Sequence, residues 1–129
     1  PTDPAYPFGY GLSYSTFTYS DVKLLPGNGK DVHTRVAATI TNTGKYTGEE
    51  VVQLYIRDEV ASITRPIKEL KGFEKIELKA GESKIVTFDI KDQQLGFYDN
   101  AMKFTVEKGD FTFMIGGNSE ELKEIVYNY

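Results

Sequence analysis

An all-β sandwich of about seven to eight short strands is the fold this sequence predicts. Three features of the 129 residues point to it. Eight Phe and nine Tyr are interleaved with Thr and Val, side chains that suit a pleated, half-buried surface. Several short runs place apolar residues at every second position, the period of a strand with one buried face. Gly, Pro, Asn and Asp punctuate the runs at roughly even spacing. No helical segment of any length and no internal repeat is expected.

Residues 1–15 read as an interdomain arm, separate from a sandwich spanning 16–129. Pro4, Pro7, Gly9 and Gly11 break regular pairing. Tyr6, Phe8, Tyr10, Leu12 and Tyr14 nevertheless need a surface to cover, and a rigid aromatic arm is unlike a flexible tether. These five residues are the candidate interface with a neighbouring domain. In the sandwich, Phe17 and Tyr19 alternate, then Val22 and Leu24 alternate in the opposite phase. The slip near Ser20–Asp21 predicts a bulge or bend in the first strand. Pro26-Gly27-Asn28-Gly29 predicts a turn, with Asn-Gly as a hairpin signal. Val32, Thr34, Val36, Ala38 and Ile40 then share one face of a second strand, and His33, Arg35, Thr39 and Thr41 the other.

After a loop from Asn42-Thr43-Gly44 to Gly48, Val51–Ile56 is apolar on both faces except at Gln53, which predicts a central strand. Asp58 to Pro66 is a loop. Residues 67–78 fit two patterns. Ile67, Leu70, Phe73 and Ile76 recur every three residues, as in a helix, while Leu70, Ile76 and Leu78 fit a strand; Gly72 and Pro66 argue against a stable helix. Ala80-Gly81-Glu82 turns, and Val86, Phe88 and Ile90 alternate. Gln93 to Asn100 is a connection. Met102, Phe104 and Val106 alternate, as do Phe111, Phe113 and Ile115, with turns at Lys108-Gly109-Asp110 and Gly116-Gly117-Asn118. Ile125, Tyr127 and Tyr129 finish the chain.

Composition narrows the function classes. The length suits one domain with a core of its own. Cysteine is absent, so disulfides and thiolate metal sites are excluded, and tryptophan, the strongest sugar-stacking side chain, is absent too. Fifteen Lys and Arg stand against 19 Asp and Glu, a net charge of -4, without the clustered basic footprint of a nucleic-acid binder. No segment approaches the roughly 18 apolar residues of a membrane helix. The chain opens on Pro1-Thr2-Asp3-Pro4 without a signal peptide, and so reads as an excised or processed piece. No nucleic-acid or membrane partner is expected.

Four stretches carry a family resemblance. Tyr6 to Phe17 (Tyr-Pro-Phe-Gly-Tyr-Gly-Leu-Ser-Tyr-Ser-Thr-Phe) resembles the lead-in to the C-terminal fibronectin type III-like domain of glycoside hydrolase family 3. Asn42-Thr43-Gly44 with Gly48 to Tyr55, Arg65-Pro66 with Lys68 to Phe73, and Gly109-Asp110-Phe111 to Gly116-Gly117 are similar to its later segments, in the same order. The resemblance implies an immunoglobulin/fibronectin type III-like β-sandwich whose parent enzymes are β-glucosidases, β-xylosidases and related exo-acting glycosidases. It implies a catalytic aspartate in an N-terminal barrel and an acid/base carboxylate in that barrel or the next α/β domain, neither of them in this chain. It implies an accessory domain, with no cofactor, that packs on the catalytic domains of the same chain, in some members with loops near the active-site entrance. Such enzymes are often periplasmic or secreted. Two residues depart from a strict fibronectin pattern: the core Trp is missing, and Phe111 stands where a tyrosine corner would place a hydroxyl.

Other residue sets bear on possible chemistry. Glycoside hydrolysis needs two convergent carboxyl groups about 5–10 Å apart. Glu49-Glu50, Asp58-Glu59 and Glu120-Glu121 sit in polar loops or strand ends, where carboxylates are solvated, so no catalytic residue is assigned. His33 reads as a surface residue of the second strand, and one His without Cys is a poor start for zinc. Asp89, Asp92, Asp99 and Asn100 lack calcium-loop spacing and read as solvated turn residues. Tyr10, Tyr14, Tyr46, Tyr55 and Tyr98 are candidates for stacking on an oligosaccharide near the loops. Lys68, Lys71, Lys75, Lys79 and Lys84 alternate with Glu69, Glu74, Glu77 and Glu82 as a solvated or guarded edge. Two other functions compete with the accessory role: a carbohydrate-binding module, which needs an aromatic platform, and an adhesive or spacer domain.

Overall fold

The computed structural model describes residues 16–59 and 67–129. Its elements are β1 (Phe17–Pro26), β2 (Thr34–Asn42), β3 (Gly48–Asp58), β4 (Glu69–Leu78), β5 (Ser83–Ile90), α1 (Asp92–Leu95), β6 (Phe97–Tyr98), β7 (Phe104–Thr105), β8 (Asp110–Gly116) and β9 (Leu122–Asn128). Seven strands form two antiparallel sheets, ordered β1-β2-β5 and β4-β3-β8-β9, and β6 pairs with β7 alone. Hairpins join β1 to β2, β3 to β4 and β8 to β9. The chain changes sheet between β2 and β3, β4 and β5, and β5 and β8. The all-β sandwich expected from the periodicity is therefore present, with its strands in a Greek-key order.

The core lies between the sheets in two layers. One joins Val36 and Ile90 of the three-stranded sheet to Leu54, Ile56, Phe111 and Phe113 of the other, with Leu95 of α1. The second joins Ala38, Ile40 and Val86 to Val52, Ile76, Leu78 and Ile115. These positions alternate along each strand, as facing sheets require. Asn42, fully buried at the end of β2, donates from Nδ2 to the carbonyls of Tyr46 and Leu78, each at 2.9 Å. Its Oδ1 accepts from Gly44 N at 2.9 Å. The Asn-Thr-Gly segment is thus a buried polar clasp between the sheets, with its hydrogen-bonding capacity used.

Several local expectations hold in detail. The register between β1 and β2 slips between Ser20 and Lys23, and Asp21 takes a left-handed φ of 55°. Two residues there oppose one, which is a bulge, and it turns Val22 and Leu24 inward on the opposite phase from Phe17 and Tyr19. Gly81 supplies the positive φ of 81° in the β4–β5 turn. β3 lies in the interior of its sheet, between β4 and β8.

Other expectations need correction. Asn28-Gly29 does not close a tight hairpin: β1 ends at Pro26 and β2 begins at Thr34. Asn28 Oδ1 instead accepts from Lys30 N and Val32 N, at 2.8 and 3.0 Å, and organises a longer loop. The ambiguous stretch 67–78 is strand over Glu69–Leu78. A register shift there pairs Leu54 with Gly72 but Tyr55 with Leu70. That bulge puts Leu70 and Phe73 on the same side of the strand, while Ile76 turns to the core on the other side. Met102, Phe104 and Val106 do not form a full strand. Met102 has φ 62° in a tight loop, and only Phe104–Thr105 pairs. Asp99 drives that loop by accepting from Ala101 N, Lys103 N and Thr105 Oγ1 at 2.9, 3.0 and 3.2 Å. One helical turn, α1, also appears at the start of the connection predicted from Gln93, because four residues are too few to show a period.

Candidate functional site

The candidate arm residues Tyr6, Phe8, Tyr10, Leu12 and Tyr14 lie outside the described residues. The acidic pairs are split by strand parity, although Glu50 and Glu121 line one cleft. Glu49 faces outward, with Lys75 Nζ 3.3 Å from Oε1. Glu50, its neighbour on β3, faces inward and accepts from Tyr19 Oη at 2.7 Å. Burial pushes the Glu50 carboxyl above its usual range despite that hydrogen bond, and burial with the Glu50 contact pushes the Tyr19 hydroxyl up. Glu59 accepts from Arg57 Nε at 2.7 Å and Thr112 Oγ1 at 2.8 Å, and the Arg57 hydrogen bond holds its carboxyl below the usual range. Glu120 and Glu121 are exposed, their backbone N–H groups donating to Asn118 Oδ1.

The remaining polar candidates are each engaged locally. His33 is better covered than its strand parity suggests. Its side chain is 18% exposed, with Nε2 2.6 Å from Asp92 Oδ1 and the ring edge-on to Tyr129 at 4.8 Å. The alternation missed this because α1 and the chain end close over the outer side of β2. Asp89 is held by Arg35 at 2.9 Å and Asp99 by its own loop, so the imagined acidic cluster is not assembled. Among the described residues no three His, Cys, Asp or Glu side chains are grouped to hold a metal. Nor is any helix there long and apolar enough to cross a membrane.

Two clefts open on the described surface. One, of about 190 Å³, lies between β3, β4 and the α1–β6 segment, lined by Ile56, Ile67, Leu95, Phe97 and Phe111 among others. Its rim adjoins the positions flanking residues 60–66, which lie outside the described residues. The other, of about 370 Å³, is the mouth of the sandwich beside Phe17, Tyr19, Glu50 and Leu122. Gly117 abuts it: a Cβ there would stand 2.2 Å from Glu50 Oε2, so a larger residue needs the Glu50 side chain to shift.

The outward faces differ more than any loop. On β1-β2-β5, the register places Thr18, Thr41 and Ser83 in one row, Ser20 and Thr39 with Ile85 in another, and Arg35 against Asp89. Ile85 is the one large exposed apolar side chain described on that face. On β4-β3-β8-β9, Leu70, Tyr55 and Met114 are direct cross-strand neighbours, Phe73 stands opposite Gln53, and Val51 lies one pleat beyond. Phe73 is 69% exposed, Leu70 51% and Val51 40%. Strand spacing of about 4.8 Å makes these residues contiguous. Tyr55 is fixed by donation to Gln53 Oε1 at 2.6 Å, with Lys68 Nζ 5.7 Å above its ring. Sequence reasoning flagged Tyr55 as a stacking residue and missed Leu70 and Phe73, whose facing depends on the bulge in β4. Of the other tyrosines, Tyr46 and Tyr98 are exposed, and Tyr98 meets Phe104 edge-on at 5.3 Å.

A family model of the fibronectin type III-like domain matches residues 50–119, more than half of the chain. The chain belongs to the fibronectin type III-like domain family. Its relatives are long proteins. A periplasmic β-glucosidase of Salmonella typhimurium is 49% identical over 122 residues, covering 94% of this chain and 16% of its own length. A putative β-xylosidase of Formosa agariphila is 51% identical over 122 residues, with the same coverages of 94% and 16%. The solved GH3 β-glucosidase of Bifidobacterium adolescentis superposes with a TM-score of 0.81 at 38% identity, over 95% of this chain and 18% of that one. The chain thus spans about a sixth of the length of the proteins it matches, and this fibronectin type III-like domain corresponds to a small segment of larger glycosidases.

Proposed function

We propose that this chain is the non-catalytic accessory domain of a glycoside hydrolase family 3 enzyme, with β-glucosidase or β-xylosidase activity in the parent chain. The carrying observation is the match of nearly the whole domain to about a sixth of proteins named as β-glucosidase and β-xylosidase. Glu49, Glu50 and Glu59 are each engaged by a neighbouring side chain, which fits a domain that leaves bond cleavage to other parts of the chain. Its work is then mechanical: it packs on the catalytic domains and holds them in place. Residues 1–15 serve as the arm, with Tyr6, Phe8, Tyr10, Leu12 and Tyr14 seated on a neighbouring domain. Tyr46 and Tyr98 of β6, both exposed, are the described tyrosines that offer an oligosaccharide a stacking face.

The test is a paired assay on aryl β-glucosides and β-xylosides with this chain alone and with its full-length parent. An inert chain and an active parent are expected; turnover by the isolated chain overturns the reading. Burying one arm aromatic is worth roughly 1.5–3 kcal/mol. Phe8→Ala is therefore expected to lower the melting temperature of the full-length enzyme, and an unchanged melting temperature removes the docking role of the arm.

A further inference from the structure

We infer that the outward side of the β4-β3-β8-β9 sheet is a docking face, and that its occupant is the remainder of the same hydrolase chain. The inference rests on the accessory-domain reading above. A two-sheet sandwich hides its inward sides by itself; its outward sides meet water unless something else covers them. The β1-β2-β5 outward side is built for water, with Thr, Ser and an Arg35–Asp89 pair in register. The opposite outward side is not. Val51, Leu70 and Phe73 are exposed around the half-buried Tyr55 and form one apolar surface across two strands, which stops at the buried Met114 of β8. Contiguous apolar patches of this kind mark interaction sites.

The surroundings of the patch say what kind of partner fits. Two of its lysines are paired within the domain, Lys75 with Glu49 at 3.3 Å and Lys71 with Glu69 at 3.2 Å, while Lys68 lies over the Tyr55 ring and donates to the Ser119 carbonyl. The complement of the exposed Val51, Leu70 and Phe73 is an apolar protein surface. The patch is also held in shape, since the Tyr55 hydroxyl is tied to Gln53 and Gly72 lies close under the Phe88 ring, 3.3 Å from where its Cβ would be. The matched relatives carry about five-sixths of their length outside the matched segment, since the segment is 16–18% of each. A partner on the same polypeptide is present at high effective concentration and needs no affinity of its own to find the face.

The absence of cysteine from the chain provides the test. Phe73→Cys and Ile85→Cys each place a thiol at an exposed position, one on each outward side, and neither variant removes a core side chain. Maleimide labelling of each thiol is followed by peptide mass spectrometry, in the isolated chain and in the full-length parent. The expected result is labelling at Phe73→Cys at least about tenfold slower in the parent than in the isolated chain, with Ile85→Cys equally fast in both. Equal rates at Phe73→Cys in the two contexts overturn the proposal. Slow labelling of Phe73→Cys in the isolated chain overturns it as well. If that protection grows with protein concentration, a second copy is the occupant; if it does not, the chain covers the face with its own residues. Glycosidase activity is measured on the same parent preparation. An inactive parent removes the accessory-domain reading whatever the labelling shows, and the labelling decides the face whatever the activity shows.

Discussion

Phe113 and Phe73 stand on the same sheet, one on each side of it, and are 1% and 69% exposed. Around Phe113 the inward side carries Val52, Leu54, Ile56 and Ile115. Around Phe73 the outward side carries Val51, Tyr55, Leu70 and Met114. The chemistry of the two sides is similar, so composition alone cannot say which is the core. Opposition decides it: the inward side faces a second sheet that interdigitates with it, whereas the outward side is covered at Met114 and Thr112 of β8 and open at Val51, Leu70 and Phe73. The sharpest way to break this comparison is to truncate the inward ring. Phe113 belongs to the layer that joins Val36 and Ile90 to Leu54, Ile56 and Phe111. Phe113→Ala is expected to cost the isolated chain about 3–5 kcal/mol in urea unfolding, from lost transfer free energy and the cavity left behind. A cost under about 1 kcal/mol would mean that the inward side is as loosely held as the outward one.

The inward side is also tied at its end by a polar clasp, and this sharpens the comparison at a smaller scale. Asn42→Ala removes the donors to the Tyr46 and Leu78 carbonyls and the acceptor of Gly44 N. Leaving such groups unpaired in a buried site costs about 1–3 kcal/mol. Asn42→Asp is not expected to rescue, because a carboxylate cannot donate to either carbonyl; full stability of that variant would disprove the assigned bonds.

Glu50 tests the inward side through pH. Burial raises its carboxyl above the ordinary range, so the folded chain holds that proton more tightly than the unfolded one. A raised pKa contributes stability that is complete below the unfolded value, about 4.3, and is lost as pH rises through the higher folded value. Glu50→Gln carries no such penalty and still accepts from Tyr19. Its melting temperature is therefore expected to rise relative to the native chain as pH increases across the carboxylate range. A difference that stays constant with pH would show that Glu50 is solvated in the folded state.

Much of this architecture is legible in the residues, and the illegible parts have physical causes. Alternation at Val36, Ala38 and Ile40 and at Phe111, Phe113 and Ile115 marks strands because one side must enter a core. The phase change between Tyr19 and Val22 marks a bulge for the same reason. Alternation fails at Met102–Val106, where the hydrogen bonds of one Asp99 side chain outweigh a weak pattern and bend the chain into a loop. It misleads at 67–78, where Leu70 and Phe73 share a side only through a bulge and Ile76 turns to the other. The docking face was hidden for a related cause: whether Leu70 and Phe73 share a side depends on a bulge that only pairing with β3 reveals. The cover over His33 depends on Asp92 and Tyr129, far away in sequence.

The smallest expected effect is the most discriminating. Phe73→Ala in the isolated chain should change unfolding free energy by no more than about 0.5 kcal/mol, the usual range for a surface substitution. The ring is 69% exposed and stands opposite a half-buried Gln53, so truncation removes little packing and returns some apolar surface from water. The same deletion at Phe113 removes a ring enclosed by two sheets. If both variants destabilise the isolated chain alike, Phe73 is packed and the outward side is no vacant face. If they differ as expected, the Phe73 ring contributes almost nothing to the fold of this domain, and its presence on an otherwise well-ordered strand is accounted for by contact outside it.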